Sequence, residues 1–370
     1  MKNNTRRRST ALVLIMCIAV LCAQPVFGAT TISKKEISID NIFQLAKANS
    51  PAIHANEATM SMLSSGGVDV TSYIDNINNA SDTQIDPTVR GNLVIVLNIL
   101  NQKSSSSAGN SSVLMNTMEN ANLQIAYGAV QLLLAYYSVE NQLGELGLNI
   151  KKVERGLSQA QKLYELGMMS KVELDGIVQQ RNELLNAKTS AENGLRALFG
   201  QIAGYLNYST AEVEIAPLKK VEITEIDSKK REVAEKYYGM ARYNSIDCYI
   251  AEISYKNASS ISSSAERAKM QTTLRSHENA FYDMQRDAQL KLDNLGVACS
   301  AKELAQKKFE LSTLMYELGM ISAMDYESER DNLESARLKE AKALIDHEAA
   351  NRKFFAFCDN GVWMQSSGSM

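Results

Sequence analysis

From Ile150 onward the apolar positions fall alternately three and four residues apart, as Ile150, Val153, Leu157, Ala160 and Tyr164. The pattern breaks at Gly167 and resumes as Leu174, Ile177, Leu184, Ala191, Leu195 and Leu198. A second stretch follows the same register with Leu304, Leu311, Met315 and Leu318, Lys308 filling the missing place. Such spacing predicts long helices that bury one stripe on a neighbour, a coiled-coil seam. Each stripe ends in Tyr-Glu-Leu-Gly, where glycine suits the left-handed position that closes a helix. Ser170 and Ser322 then stand where the next helix would be capped, with Glu173 or Asp325 in its first turn. Both places therefore predict a tight helix–turn–helix tip. Traced backward, helical pattern reaches about Ser111 from Gly167 and about Ser264 from Gly319. Each arm is then some 55 residues, or roughly 80–85 Å at 1.5 Å per residue. Helices of that length need lateral partners, so self-association is expected.

The two tips are copies of one unit. Tyr164-Glu165-Leu166-Gly167-Met168-Met169-Ser170 recurs 152 residues later as Tyr316-Glu317-Leu318-Gly319-Met320-Ile321-Ser322. Both follow a Gln-Lys stretch, Gln161-Lys162 and Gln306-Lys307, and Leu45 to Ser50 faintly matches Ala234 to Ser245. We read residues 36–208 as the first repeat and 228–358 as the second, with 359–370 as a tail. Between them, Val213, Ile215, Val221, Ile223 and Ile226 alternate with charged residues around Pro217, so 209–227 reads as a linker with strand character. The expected fold class is mainly α: two tandem antiparallel coiled-coil hairpins with little β-structure.

Composition agrees and adds a compartment. There are 4 prolines in 370 residues, which permits very long helices. Lys2, Arg6, Arg7 and Arg8 precede an apolar run from Ala11 to Leu21, and Pro25-Val26-Phe27-Gly28 follows. Residues 1–28 read as a secretory signal peptide whose core is too short for a permanent anchor. Cleavage there would remove four positive charges and take the formal net charge from −3 to −7. A mildly acidic exported chain argues against nucleic acid or anionic lipid as partner. Cys248, Cys299 and Cys358 lack metal-ligand spacing and read as buried free thiols. His54, His277 and His347 read as solvated helix-face residues, and the run Glu327, Glu329, Arg330, Asp331, Glu334 as a solvated face. Phe354, Phe355 and Phe357, near Trp363, read as a C-terminal core or docking segment. Neither a nucleophile motif, a phosphate loop nor a dinucleotide fingerprint is present, so no enzyme, cofactor or metal is expected.

The two Tyr-x-x-Gly-x-x-Ser-x-x-(Asp/Glu) tips, Tyr164 to Glu173 and Tyr316 to Asp325, resemble those of the TolC-like outer membrane efflux protein family. The stretch Ile37 to Ala46 is similar to that family's opening helix. The resemblance implies a homotrimer in which each chain lends four helical strands to an α-barrel and usually four β-strands to a membrane barrel. It also implies a passive efflux or secretion conduit of the outer membrane or periplasm. A periplasmic adaptor (membrane fusion) protein and an inner-membrane transporter would be its partners. By position, the partner-binding tips would comprise Tyr164, Gly167, Met168, Ser170 and Glu173, with Tyr316, Gly319, Met320, Ser322 and Asp325. One departure stands out: Asn257 to Ser264, where the second pair of strands belongs, is too short for two spanning strands of about nine residues each. In the first half, Ser64 to Ser107 has room, but Leu93 to Leu100 does not alternate as a lipid-facing strand would. Membrane association is therefore left open, and a pore-free coiled-coil scaffold or tether of the envelope is the alternative reading.

Overall fold

The computed structural model describes residues 34–64, 110–219, 230–258 and 263–362. The proposed signal peptide, the segment with room for first-half strands, Val221, Ile223, Ile226 and Trp363 lie outside the described residues. The chain divides into Met1–Lys35 and Glu36–Met370, and the architecture below is that of the second unit.

Its elements are β1 (Lys35–Ile37), α1 (Ile42–Asn49), α2 (Pro51–Ser64), α3 (Asn110–Glu165), α4 (Lys171–Tyr205), β2 (Val213–Ile215), α5 (Lys230–Asn244), α6 (Ile246–Lys256), α7 (Ser263–Glu317) and α8 (Ala323–Asn360). The chain is mainly helical, and the sheet among the described residues is the pair β1–β2. The arms α3 and α7 run 56 and 55 residues without a break, about 84 Å of helix at 1.5 Å per residue. Gly144 does not interrupt α3. It lets α8 approach, since a Cβ there would stand 2.6 Å from Leu338 Cδ2. The short helices break alike in the two halves. Asn49-Ser50-Pro51 ends α1 with Pro51 opening α2, where a missing N–H costs nothing. Asn244-Ser245-Ile246 ends α5, and the Ser245 hydroxyl accepts from Cys248 N to open α6.

α3 packs along α4, α7 along α8, and α3 along α8, so α3 and α8 form the inner pair and α4 and α7 the outer helices. Away from the tips, α1 and α2 lie on α3, and α5 lies on α7 and α8. One core gathers Ile37, Ile42, Ala46, Ile53, Ile125, Val130, Leu133, Ile202, Leu206 and Val213. Two tyrosines stitch it: Tyr137 Oη donates to Ala216 O at 2.7 Å, and Tyr205 Oη to Ile125 O at 2.6 Å. A second cluster joins Ala241, Phe281, Phe357 and Cys358, with Tyr237, Tyr238 and Phe354 against it. The end of α8 is locked there. Gly361 adopts φ 63, and a Cβ would meet Asn244 O at 2.1 Å.

Three sequence expectations need correction. Leu304, Leu311 and Leu318 are not in the seam of the second hairpin. α7 meets α8 through Leu295 (2% exposed), through Lys302, whose Nζ lies 2.5 Å from Glu340, and through Phe309, whose ring lies 5.4 Å from that of Tyr326. Each apolar residue two places on, Val297, Leu304 or Leu311, points about 200° around the helix and away from α8. Their exposures are 70%, 56% and 59%, and Leu318 at 74% continues the line. His277 and His347 are buried, not solvated: α5 and the end of α8 close over His277 on α7, and His347 on α8 faces α7 at Ala288. His277 stacks on Phe357 at 4.5 Å, and burial, with Arg242 nearby, pushes its pKa down to about 4. His54 stays exposed, 3.4 Å from Glu57. Asp331 is buried at 5% exposure because Arg155 of α3 reaches it, so the run from Glu327 to Glu334 is not wholly a solvated face.

Cys248 and Cys358 are buried free thiols and Cys299 is half-buried. Phe357 is fully buried and Phe354 packs on its cluster, whereas Phe355 is 38% exposed.

Candidate functional site

Each tip is built by the same hydrogen bonds. At the first, Gly167 N donates to Tyr164 O at 2.9 Å and Met168 N to Leu163 O at 2.8 Å. At the second, Gly319 N donates to Tyr316 O at 2.9 Å and Met320 N to Met315 O at 2.8 Å. These paired bonds satisfy the last carbonyls of the helix and require a left-handed residue, supplied by Gly167 at φ 70 and Gly319 at φ 69. Three residues on, a reciprocal cap starts the next helix. Glu173 N donates to Ser170 Oγ at 3.2 Å, while Ser170 N and Oγ donate to Glu173 Oε2 at 2.9 and 2.8 Å. Those two donors, the backbone N–H first, hold the Glu173 carboxyl below its ordinary value. Ser322 and Asp325 repeat the arrangement, with Asp325 N donating to Ser322 Oγ at 3.1 Å and Ser322 Oγ to Asp325 Oδ2 at 2.7 Å. Both turns are thus hydrogen-bonded on either side of their apex.

What the turns hold outward is apolar. Leu166 and Met168 are each 72% exposed, and Leu318 and Met320 are 74% and 65% exposed. Val172 and Met324 extend the two surfaces into the first turns of α4 and α8. Tyr164 and Tyr316 lie one turn before their glycines and differ in company. Tyr316 stacks on Tyr326 at 4.9 Å, whereas the residue matching Tyr326 in the first repeat is Leu174.

The tips stand level with one another. Arg155, 12 residues before Gly167, pairs with Asp331, 12 residues after Gly319, and with Glu327 at 3.4 Å. Gln159 Nε2 lies 3.5 Å from Met324 Sδ, nearer the tips on the same seam. Sequence reasoning missed Arg155, Asp331 and Met324. The one available signal was the equal count of residues from Arg155 and from Asp331 to the two glycines.

Among the described residues no group of His, Cys, Asp and Glu could hold a metal, and no helix is long and apolar enough to cross a membrane. What the tips present is a pair of hydrogen-bonded turns with exposed apolar side chains.

No protein-family model and no curated protein matches the sequence. Among solved structures, the chain is similar to the outer membrane protein VceC of Vibrio cholerae, with a TM-score of 0.48 and 8% identity over 88% of this chain and 97% of that one. It is also similar to the CmeC outer membrane channel of Campylobacter jejuni, with a TM-score of 0.43 and 10% identity over 93% and 94% of the two chains. A third is the MtrE outer membrane channel of Neisseria gonorrhoeae in its open state, with a TM-score of 0.44 and 8% identity over 92% and 95%.

Proposed function

We propose that this chain is a wall component of a TolC-like efflux or secretion conduit in the cell envelope, docking a periplasmic adaptor through its two tips. The observation that carries this reading is the pair of level, identically capped turns presenting Leu166, Met168, Leu318 and Met320 to solvent. Nothing in the fold requires large apolar side chains at a turn apex, where each would stabilise a partner contact by about 1.5–3 kcal/mol if fully buried. Methionine adapts its shape to whatever it meets, which suits two equivalent tips contacting successive parts of one partner. Conduction through such a wall is passive. The chain lines a path, and an inner-membrane transporter behind the adaptor supplies the energy. A homotrimer places the outer helices of one copy beside those of the next.

A second reading, a pore-free scaffold spacing the envelope layers, is favoured by one observation. α6 ends at Lys256 and α7 begins at Ser263, too close in sequence for two membrane-spanning strands.

Two measurements separate the readings. A photo-crosslinking residue at Met320 should form an adduct with a periplasmic adaptor, lost when Met168→Asp is added at the other tip. Adducts only with further copies of this chain would sink the docking claim. The full-length chain in a planar bilayer should give stepwise conductance. An intact trimer that never conducts would favour the scaffold.

A further inference from the structure

Five of the 16 methionines stand in the two windows 163–172 and 315–324, which are the tips. They are Met168, Met169, Met315, Met320 and Met324. Exposure sorts them. Met168 at 72%, Met320 at 65% and Met324 at 65% are open to solvent, while Met169 and Met315 are half-buried. Among the described residues the next most exposed methionine is Met240 at 39%, and Met118 in α3 is buried at 1%. The most open thioethers are thus gathered on the surface that the tips present.

Neither turn depends on a sulfur. Met168 and Met320 enter the turns through their backbone N–H groups, which donate to Leu163 O and Met315 O. The reciprocal caps are made by Ser170 with Glu173 and by Ser322 with Asp325. A change in the polarity of these side chains therefore alters the surface and leaves the fold. Met324 adds a contact between the hairpins, since Gln159 Nε2 donates to its Sδ at 3.5 Å. A thioether is a weak acceptor and a sulfoxide oxygen a strong one, so oxidation there leaves Gln159 an acceptor.

We propose that Met168, Met320 and Met324 are a site of reversible oxidation that converts the tips from an apolar to a polar contact surface. The co-substrate is a two-electron oxidant of the hypochlorous acid class. In the net step a sulfur lone pair forms the new S–O bond, the O–Cl bond breaks with its electrons leaving on chloride, and the acid's proton passes to water. Sulfur is oxidised by two electrons and chlorine is reduced by two. Each product is a sulfoxide, polar and chiral, which a methionine sulfoxide reductase returns to the thioether. Both tips change together, because Met168 and Met320 hold the same position in the repeat and Met324 stands where the first repeat has Val172. A partner seated on these side chains loses apolar contact at three points and has to desolvate three sulfoxide oxygens. Oxidation releases the partner and reduction restores it. That consequence rests on the docking reading, whereas the oxidation site does not.

The test treats the full-length chain with limiting hypochlorous acid and reads each methionine by peptide mass spectrometry. Sulfoxide should appear at Met168, Met320 and Met324 on the order of tenfold faster than at Met118, with the helical circular dichroism unchanged. Retention on a hydrophobic-interaction column should fall after treatment and return after incubation with the reductase. The variant Met168→Leu/Met320→Leu/Met324→Leu, compared with its own untreated sample, should shift far less. Oxidation spread evenly over the methionines, or an equal shift in the variant, would overturn the site. A photo-crosslinking residue at Leu318 reads the consequence: adaptor adducts should drop several-fold on oxidation and recover with the reductase. Undiminished adducts from fully oxidised tips would overturn the release. An untreated chain that forms no adduct would count against docking itself, while selective and reversible loss of retention would leave the oxidation site standing.

Discussion

α3 and α7 have nearly the same length and end in the same turn, yet one is an inner helix and the other an edge. α3 has α4 along one side, α8 along another and α1 and α2 against its tip-distant half, so Ile125, Val130, Leu133 and Tyr137 vanish from solvent. α7 has the shorter α8 along its tip-proximal part, and α5 and α6 away from the tip. Toward the tip, Val297, Leu304, Leu311 and Leu318 on its other face stay between 56% and 74% exposed among the described residues. Duplicated units can therefore share their local chemistry, the capped turn, while the packing of each arm is set by where it falls in the order of helices. The duplicate arms thus differ in which apolar residues they bury, not in the turn that ends them.

That contrast can be broken most forcefully by paired truncations. Leu133→Ala, at 0% exposure, should cost about 3–5 kcal/mol in chemical denaturation. Leu304→Ala, at 56% exposure, should stay within about 0.5 kcal/mol in a dilute, monomeric sample. Comparable losses would show that α7 is packed on both faces within one chain.

The second cluster adds a pH dependence on the acid side. His277 is buried and its pKa is pushed down to about 4 by burial and by Arg242. The unfolded chain takes up a proton below about pH 6.5, whereas the folded chain resists until about 4, so stability is full above 6.5 and falls between the two values. The expected loss is up to about 3 kcal/mol by pH 4, on the order of 1.4 kcal/mol per pH unit. His277→Phe, which keeps a ring against Phe357, should reduce that slope in urea titrations across the range, leaving the share of the buried His347, whose pKa burial also lowers. An unchanged slope would put the dependence elsewhere.

Arg155→Ala leaves the buried Asp331 carboxylate without its cation. A loss of about 2 kcal/mol is expected, discounted from the fully buried case because Arg155 itself is 36% exposed. Asp331→Asn in the same background should restore part of it. Smallest are the turn changes. Gly167→Ala and Gly319→Ala meet no neighbouring atom, so only backbone strain remains, about 1 kcal/mol each and equal in the two halves. Unequal values, read from thermal melts, would show that the duplicated tips are not equivalent.

The local elements were legible in the sequence because local chemistry makes them. The tips follow from Gly at the left-handed position and from Ser with Glu or Asp three residues later, and the arms follow from period and the scarcity of proline. The direction of each face was not legible. Leu295, Phe309, Leu304 and Leu311 all satisfy a heptad, and nothing in one dimension says which pair of positions meets α8. His277, His347 and Asp331 were misjudged for the same reason, since their burial is contributed by the end of α8, by α7 and by Arg155 respectively, far away in sequence. In the candidate site, the tip residues were placed by their motif, while the level alignment of the two tips needed the contact between Arg155 and Asp331.

The most direct measurement is the mass of the full-length chain by light scattering, beside the double variant Leu304→Asp/Leu311→Asp. A trimer is expected for the unaltered chain, and a folded, helical monomer for the variant. A monomer in both, or a trimer that survives both aspartates, would contradict a homotrimer in which the outer helices of one copy stand beside those of the next.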